Sequence, residues 1–280
     1  MIDACMFFDE VSSDFAEAVD LSARAGVHCI ELRGGIWGKQ VQEATGDDVA
    51  RMQQVMDEYG TQVTCIGSPI GKCDLYDDDE YQQHLDWFER MCELAHIFDT
   101  KIIRGFSGWN PEGEHGERYD ENVPRPDLAP LLPLIAERLA PIVSRAEQED
   151  VYFCLETEMA TCSGTCQEVA RVIEACGGSE HLAVAWDVNN GSSRGEHPLE
   201  QGYPLIKDRI RHVHVKPNRY MNIETVGDWP DVSYDDVLNT LLADGYDDSA
   251  SIEHWGSRWL MLEGGRQVVE LLNKVQQQQN

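Results

Sequence analysis

The chain has 280 residues, 42% of them hydrophobic and 26% charged, and its 51 acidic against 22 basic side chains give a formal net charge of −29. No apolar run approaches the ~20 residues of a membrane helix, and so acidic a chain disfavours a nucleic-acid partner, because duplex affinity depends on neutralising phosphates with Lys and Arg. Nine cysteines, an odd number scattered through predicted strands and helices of a long chain, are not the disulfide framework of a small secreted domain. The excess acid reads as a solvated surface that governs solubility; a site for a polycation or many metal ions is the alternative. The N-terminal MIDACMFFDE has no basic stretch before its short apolar run, so it reads as a first strand rather than a signal peptide, and a cytoplasmic protein is expected.

Strand-like and helix-like patterns alternate along the chain. A strand at 2–8 leads into a helical pattern near 13–25, and a strand at 28–33 into one near 47–59. The pairs continue with 62–68 and 78–98, 101–106 and 127–148, 151–157 and 165–176, 182–188 and 198–208, 210–216 and 233–243, and 249–254 and 264–276. Ser13-Asp14 and Ser233 are placed to cap helix starts, and Gly26, Gly60, Gly177 and Gly245 to stop helix ends. Strands separated by helices need crossover connections and hence a parallel sheet. Eight such units predict an α/β fold of (β/α)8 type, a TIM barrel, as one domain over 1–280 with a frayed polar tail at 276–280. An open doubly wound sheet is the alternative, but no GxGxxG follows the first strand and no GxxxxGK[ST] occurs anywhere. The connections 108–126 and 218–231 exceed the usual ~2–6 residues of a βα loop. Both fall on the face where a barrel carries its active site, as lids or substrate walls.

Four strand endings carry the chemistry. In VYFCLETE (151–158), Val151, Phe153 and Leu155 face one way and Cys154, Glu156 and Glu158 the other, because side chains alternate along a strand. The same parity sets Asp187 opposite Trp186, His212 and His214 opposite Val213 and Val215, and Glu253 opposite Ile252. Glu156, Asp187, His214 and Glu253 would thus end four successive strands. A lone strand-end acid is usually a salt-bridge or capping partner, but four in register converge. Three carboxylates and an imidazole suit one divalent cation, Mn²⁺ first, with Mg²⁺, Co²⁺ or Zn²⁺ as alternatives. Without a cation the carboxylates would repel and raise one another's pKa. Cys162 and Cys166 have the spacing of half a zinc site, but no second pair matches, so they read as buried or loop thiols.

Other residues have two readings each. Lys216 shares the inward parity of His214 and either contacts a substrate anion or pairs with a nearby acid. Arg104 either binds substrate or sits in an internal ion pair, and Glu31 has the same choice. Trp109 and Trp255 offer an apolar wall for a sugar's C–H face or plain packing. Glu158, two residues beyond Glu156, either supports that carboxylate or binds substrate. His212 reads as a core or supporting histidine, and His254 points outward.

The run Glu156, Asp187, His214 (in HVHVK) and Glu253, with Cys29-Ile-Glu-Leu at the second strand, resembles the xylose-isomerase-like TIM barrel superfamily over roughly 1–275. That superfamily includes sugar phosphate isomerases and epimerases, ketose 3-epimerases, hydroxypyruvate isomerases, inosose dehydratases and endonuclease IV. The resemblance implies that the four residues bind one divalent metal, which holds adjacent oxygens of a small polyhydroxylated carbonyl substrate. It also makes Glu156 and Glu253 the acid/base pair that moves a proton beside the carbonyl through an enediolate. Three positions depart from the ketose epimerase pattern. Asn190 stands where a substrate-touching histidine is expected, Cys162 where another acid is expected, and Arg219 lies one position earlier than the usual basic residue. The implied function is a metal-dependent isomerase or epimerase, with Lys216, Arg219, Asn190, Arg104, Trp109 and Glu158 as substrate contacts. The alternatives are a lyase or dehydratase on the same frame, a non-catalytic sugar-binding barrel, and an endonuclease IV-like enzyme. The last is disfavoured by Ser68 and Arg104 at the ends of strands three and four, where that enzyme's zinc cluster needs histidines. Homo-oligomerisation stays open.

Overall fold

The computed structural model describes residues 1–114, 117–120, 122–218, 220–227 and 229–278. Among these, eight parallel strands follow one another around a closed barrel in sequence order, as the alternating pattern predicts. They are β1 (Asp3–Phe7), β2 (Cys29–Leu32), β3 (Gln62–Gly67), β4 (Ile102–Gly105), β5 (Tyr152–Glu156), β6 (Leu182–Asp187), β7 (Ile210–Val215) and β8 (Ser249–Ile252). The helices are α1 (Phe15–Arg24), α2 (Gly46–Tyr59), α3 (Asp78–Ile97), α4 (Leu132–Glu149), α5 (Cys166–Ala175), α6 (Val188–Ser192), α7 (Tyr203–Ile206), α8 (Tyr234–Ala243) and α9 (Arg258–Gln278). None of the described helices is long and apolar enough to cross a membrane.

By internal packing the chain forms two compact units, Met1–Ser68 with Phe98–Thr100 and His212–Asn280, and Pro69–Ile97 with Lys101–Arg211. In the first, β1 pairs in parallel with both β2 and β8, β2 with β3, and β7 with β8. In the second, β4 pairs with β5 and β5 with β6. Apolar side chains such as Met6, Ile30, Phe153, Val184 and Val213 are fully buried.

Helix boundaries follow local chemistry. Asp14 caps α1 by accepting from the N–H groups of Ala16 and Glu17. Reciprocal capping boxes start α2 (Thr45 with Asp48), α5 (Thr165 with Glu168) and α8 (Ser233 with Asp236), satisfying N–H groups that have no partner within the helix. Gly26, Gly60, Gly177 and Gly245 all take left-handed backbone at the expected stops.

Three segments differ from the sequence expectation. The continuous helix expected at 198–208 is a π turn over Pro198–Gly202, then α7, then a 3₁₀ turn over Lys207–Arg209. Pro204, inside the expected segment, lacks the N–H that a continuous ladder would require there. The short α6 has no apolar periodicity to announce it and forms because Asp187 caps it directly from the end of β6. The helix expected at 264–276 is α9, which begins at Arg258 and continues to Gln278. The Gln276 side chain bonds both the N–H and the C=O of Ile2, so the tail is anchored at that point; 279–280 lie outside the described residues.

In the second unit, the turn after β3 is fitted to the end of β4 through backbone. Phe106 N–H donates to Ile70 O at 2.8 Å and Gly108 N–H to Gly71 O at 2.9 Å. Gly71 has φ +85°, and a Cβ there would collide with the Phe106 carbonyl. Its own N–H donates to Nδ1 of buried His84 at 3.0 Å. Gly71→Ala should therefore cost more than about 3 kcal/mol in denaturant unfolding, against about 1 kcal/mol for Gly245→Ala, where φ is also positive but the surroundings are open. Burial holds the His84 imidazole below its usual pKa, so the folded state prefers the neutral ring. The resulting stability is complete above the unfolded value near pH ~6.5 and is lost as pH falls from there through the lower folded value. His84→Asn, which keeps an acceptor but does not titrate, should flatten the dependence of unfolding free energy on pH in that window.

Candidate metal and substrate site

In the first unit, three strand ends bring ionisable groups together. Glu31 on β2 and His212 and His214 on β7 are fully buried, and one oxygen, Oε2 of Glu31, meets Nε2 of His212 at 2.7 Å and Nε2 of His214 at 2.9 Å. Burial pushes the Glu31 carboxyl up, but the two imidazoles outweigh it and hold the group well below the usual carboxylate range. An ionised carboxylate only accepts, so it fixes the proton on Nε2 of His214 and puts the ring's lone pair on Nδ1.

Glu253 follows β8 directly. Its Oε1 accepts from Arg33 Nη1 and Trp255 Nε1, both at 3.0 Å, and its Oε2 lies 3.0 Å from Lys216 Nζ. Burial works against its charge, yet Lys216, His214 and Arg33 together keep the carboxyl well below its ordinary pKa. Arg33 also pairs with Asp9 at 2.9 Å and Glu10 at 3.1 Å. Burial and the neighbouring Glu253 charge push Glu10 up to about 7. Trp255 is 70% exposed and lays its ring over the Lys216 ammonium at 4.4 Å.

In the second unit, Glu156 ends β5 with Oε2 at 3.3 Å from Arg104 Nε on β4, and both side chains are buried. Asp187 ends β6, and its Oδ1 accepts from the N–H groups of Asn189 and Asn190 at 3.0 and 2.9 Å. Thr157 locks the two strand ends together: its hydroxyl donates to Asp187 O and accepts from Asp187 N, each at 2.9 Å. Glu158 pairs with Lys72 at 3.2 Å. Burial opposes the Lys72 charge, but Glu158 and Glu156 raise its pKa overall.

Two groups of side chains offer metal-ligand atoms that lie within 4.8 Å of one another: Glu31, His212 and His214, and Glu156, Asp187, His214 and Glu253. The second is the set expected from strand parity. Its donors suit a hard to borderline divalent ion, and crowded anionic oxygens are what such an ion would compensate. Within the first group Glu31 orients the His214 ring through its Nε2.

The remaining sequence candidates fall in several places. Lys216 and Arg104 each pair with a strand-end glutamate. Asn190 is buried on α6. Trp109 bridges through its backbone to Thr161 and packs edge-on against Tyr119. Arg219 lies outside the described residues. Cys162 is buried against Trp109 O, with its thiol pushed up to about 12 by burial, and the buried Cys166 thiol is raised well above its usual value; neither belongs to a ligand group among the described residues. Sequence reasoning passed over Arg33 and Lys72. Arg33 shares the parity of Glu31 two residues earlier, which was the available signal; Lys72 sits in a turn where no periodicity points to it.

The sequence profile of the xylose isomerase-like TIM barrel family matches residues 19–277. The chain belongs to that family. Solved structures sharing the fold include a 3-keto-D-glucoside 4-epimerase from E. coli, at 14% identity over 97% of this chain and 99% of that one, with a TM-score of 0.73. A probable 3-DHS dehydratase from Bacillus anthracis matches at 17% identity over 96% and 99%, with a TM-score of 0.69. A xylose isomerase-like TIM barrel protein from Mycobacterium smegmatis, solved in complex with magnesium, matches at 16% over 98% and 97%, with a TM-score of 0.72. No curated protein matches the sequence.

Within this family member, Arg33 compensates three carboxylates at once. Arg33→Met should lower the unfolding free energy by about 3 kcal/mol at neutral pH, measured by urea titration of metal-free protein. An unchanged midpoint would mean that Asp9, Glu10 and Glu253 are stabilised by something other than this guanidinium.

Proposed function

We propose that the protein is a divalent-metal-dependent isomerase or epimerase of a small polyhydroxylated carbonyl compound. The observation that carries this reading is the group Glu156, Asp187, His214 and Glu253, one donor from each of four successive strand endings, with their ligand atoms mutually within 4.8 Å. A divalent ion held there would supply a Lewis acid for a carbonyl oxygen and the hydroxyl beside it. Mn²⁺ is the first candidate, since three oxygen donors and one imidazole match its preferences.

The protein's own groups divide the remaining work. Glu156 and Glu253 are the proton carriers: one removes the proton from the carbon beside the carbonyl and the other returns one. Lys216 and Arg33 keep Glu253 ionised and able to accept a proton. Arg104 pairs with Glu156 at 3.3 Å. The two backbone N–H groups on Asp187, and Glu31 on His214, fix two of the ligands before substrate arrives, so the site needs little rearrangement.

A lyase, such as a dehydratase, is the second reading. It is favoured by the Lys216 ammonium 3.0 Å from Glu253, an acid beside a base, which is what expulsion of a β-hydroxyl requires. Incubation of Mn²⁺-loaded enzyme with keto sugars and inososes in D₂O, followed by NMR, separates the two. Deuterium on a retained carbon is the expected result, and an enone or a released fragment would establish the lyase. Glu156→Gln and Glu253→Gln should each lower turnover at least ~100-fold. Exchange that proceeds unchanged in both variants would remove them from the chemistry.

A further inference from the structure

Lys72, in the turn between β3 and α3, is one of only six lysines in the chain. Its ammonium carries three N–H donors. One meets Glu158 Oε2 at 3.2 Å and one the Tyr119 hydroxyl at 3.1 Å, and among the described residues the third meets no acceptor. The ammonium also faces the rings of Phe106 at 4.3 Å, Tyr119 at 5.4 Å and Trp109 at 5.8 Å. Glu158 is buried and takes one further hydrogen bond, from Ala160 N–H to Oε1. Tyr119, half exposed, accepts from Lys72 and keeps its own O–H proton to donate. A donor, an acceptor and a hydroxyl with unused capacity thus stand together against an aromatic wall.

The cluster adjoins the Glu156 end of the site. The Phe106 ring that faces Lys72 also faces the Arg104 guanidinium at 4.9 Å, and Arg104 pairs with Glu156. The described residues that follow Tyr119 are anchored. Arg125 Nη2 donates to Thr161 O at 2.7 Å and to Glu168 at 2.7 Å, Asn110 Nδ2 donates to Pro124 O at 2.9 Å, and Arg194 donates to Val123 O and Asp120 O at 3.2 Å each.

We propose that Lys72, Glu158 and Tyr119 form a hydroxyl-binding subsite that selects an uncharged polyol end of the substrate, with Trp109 covering its C–H face. This deepens the functional reading above and rests on it for the position of the reacting end at Glu156. Charge decides the ligand class. Lys72 and Glu158 balance, as do Arg104 and Glu156, and a hydroxyl, which both donates and accepts, satisfies Lys72 and Glu158 together; a phosphate, which only accepts, would have to break one of these pairs to gain a cation. A saturated ring or chain face packs against indole without charge.

The test is calorimetric titration of the Mn²⁺-loaded protein with sorbitol, D-fructose and D-fructose 6-phosphate, after Mn²⁺ stoichiometry has been read separately. Expected are sorbitol and fructose binding in the wild type, weaker binding of the 6-phosphate, and a loss of at least about tenfold in polyol affinity for Lys72→Met and Glu158→Gln with Mn²⁺ affinity retained. Tyr119→Phe, at a half-exposed position where folding is not at stake, should lose a few-fold. Polyol affinity unchanged in Tyr119→Phe and in whichever of the other two folds, no polyol binding by wild type, or tighter Lys72-dependent binding of the 6-phosphate would each overturn the proposal. Failure to take up Mn²⁺ would instead strike at the functional reading, and the sorbitol titration of the same protein would still report on this subsite.

Discussion

A carboxylate withdrawn from water persists only where a positive charge or a set of hydrogen-bond donors stands against it. That constraint organises the strand ends of this protein. Glu31 has two imidazoles, Glu253 has Arg33 and Lys216, Glu156 has Arg104, and Glu158 has Lys72. Asp187 differs in being held by backbone N–H groups at the start of α6. In a chain with a net charge of −29 and few lysines, two of the six lysines stand at these acids. Basic side chains are placed where buried acid needs them, while the excess acid can remain at the solvated surface.

The same compensation would suit the strand ends to the proposed divalent ion. Cationic side chains keep Glu253 ionised, and an ionised carboxylate is a ligand where a protonated one is not. Glu31 fixes the His214 tautomer that presents a lone pair on Nδ1. These devices lie on different strands, so no one segment builds the site; the parallel order of strands and crossover helices does. Reaction specificity would then depend on what borders the metal frame. Lys216 under Trp255 stands on the Glu253 side, and Lys72 with Tyr119 on the Glu156 side.

The barrel and the proposed group of strand-end donors were legible in the sequence for a shared reason. Side chains alternate along a strand, so the shared face of Glu156, Asp187, His214 and Glu253 follows from their parity in the sequence. Helix ends were legible where glycine or a capping side chain forces them, as at Gly60 or Ser233. Legibility failed where long-range packing decides. Val188–Ser192 is helical because of one capping carboxylate, and 198–209 breaks into three kinds of turn around Pro204. Lys72 acquires its role from Glu158 and from Tyr119, 47 residues away in sequence, and no local pattern encodes that meeting. Arg104 and Lys216 were visible as inward cations, but their pairing with particular glutamates required the folded chain.

The central claim is that the four strand-end residues share one divalent ion. Crystals grown with Mn²⁺ and measured at the manganese absorption edge test it most directly. A single anomalous peak ligated by Glu156, Asp187, His214 and Glu253 is the predicted result. A peak held instead by Glu31, His212 and His214, or no peak at these strand ends, would contradict it.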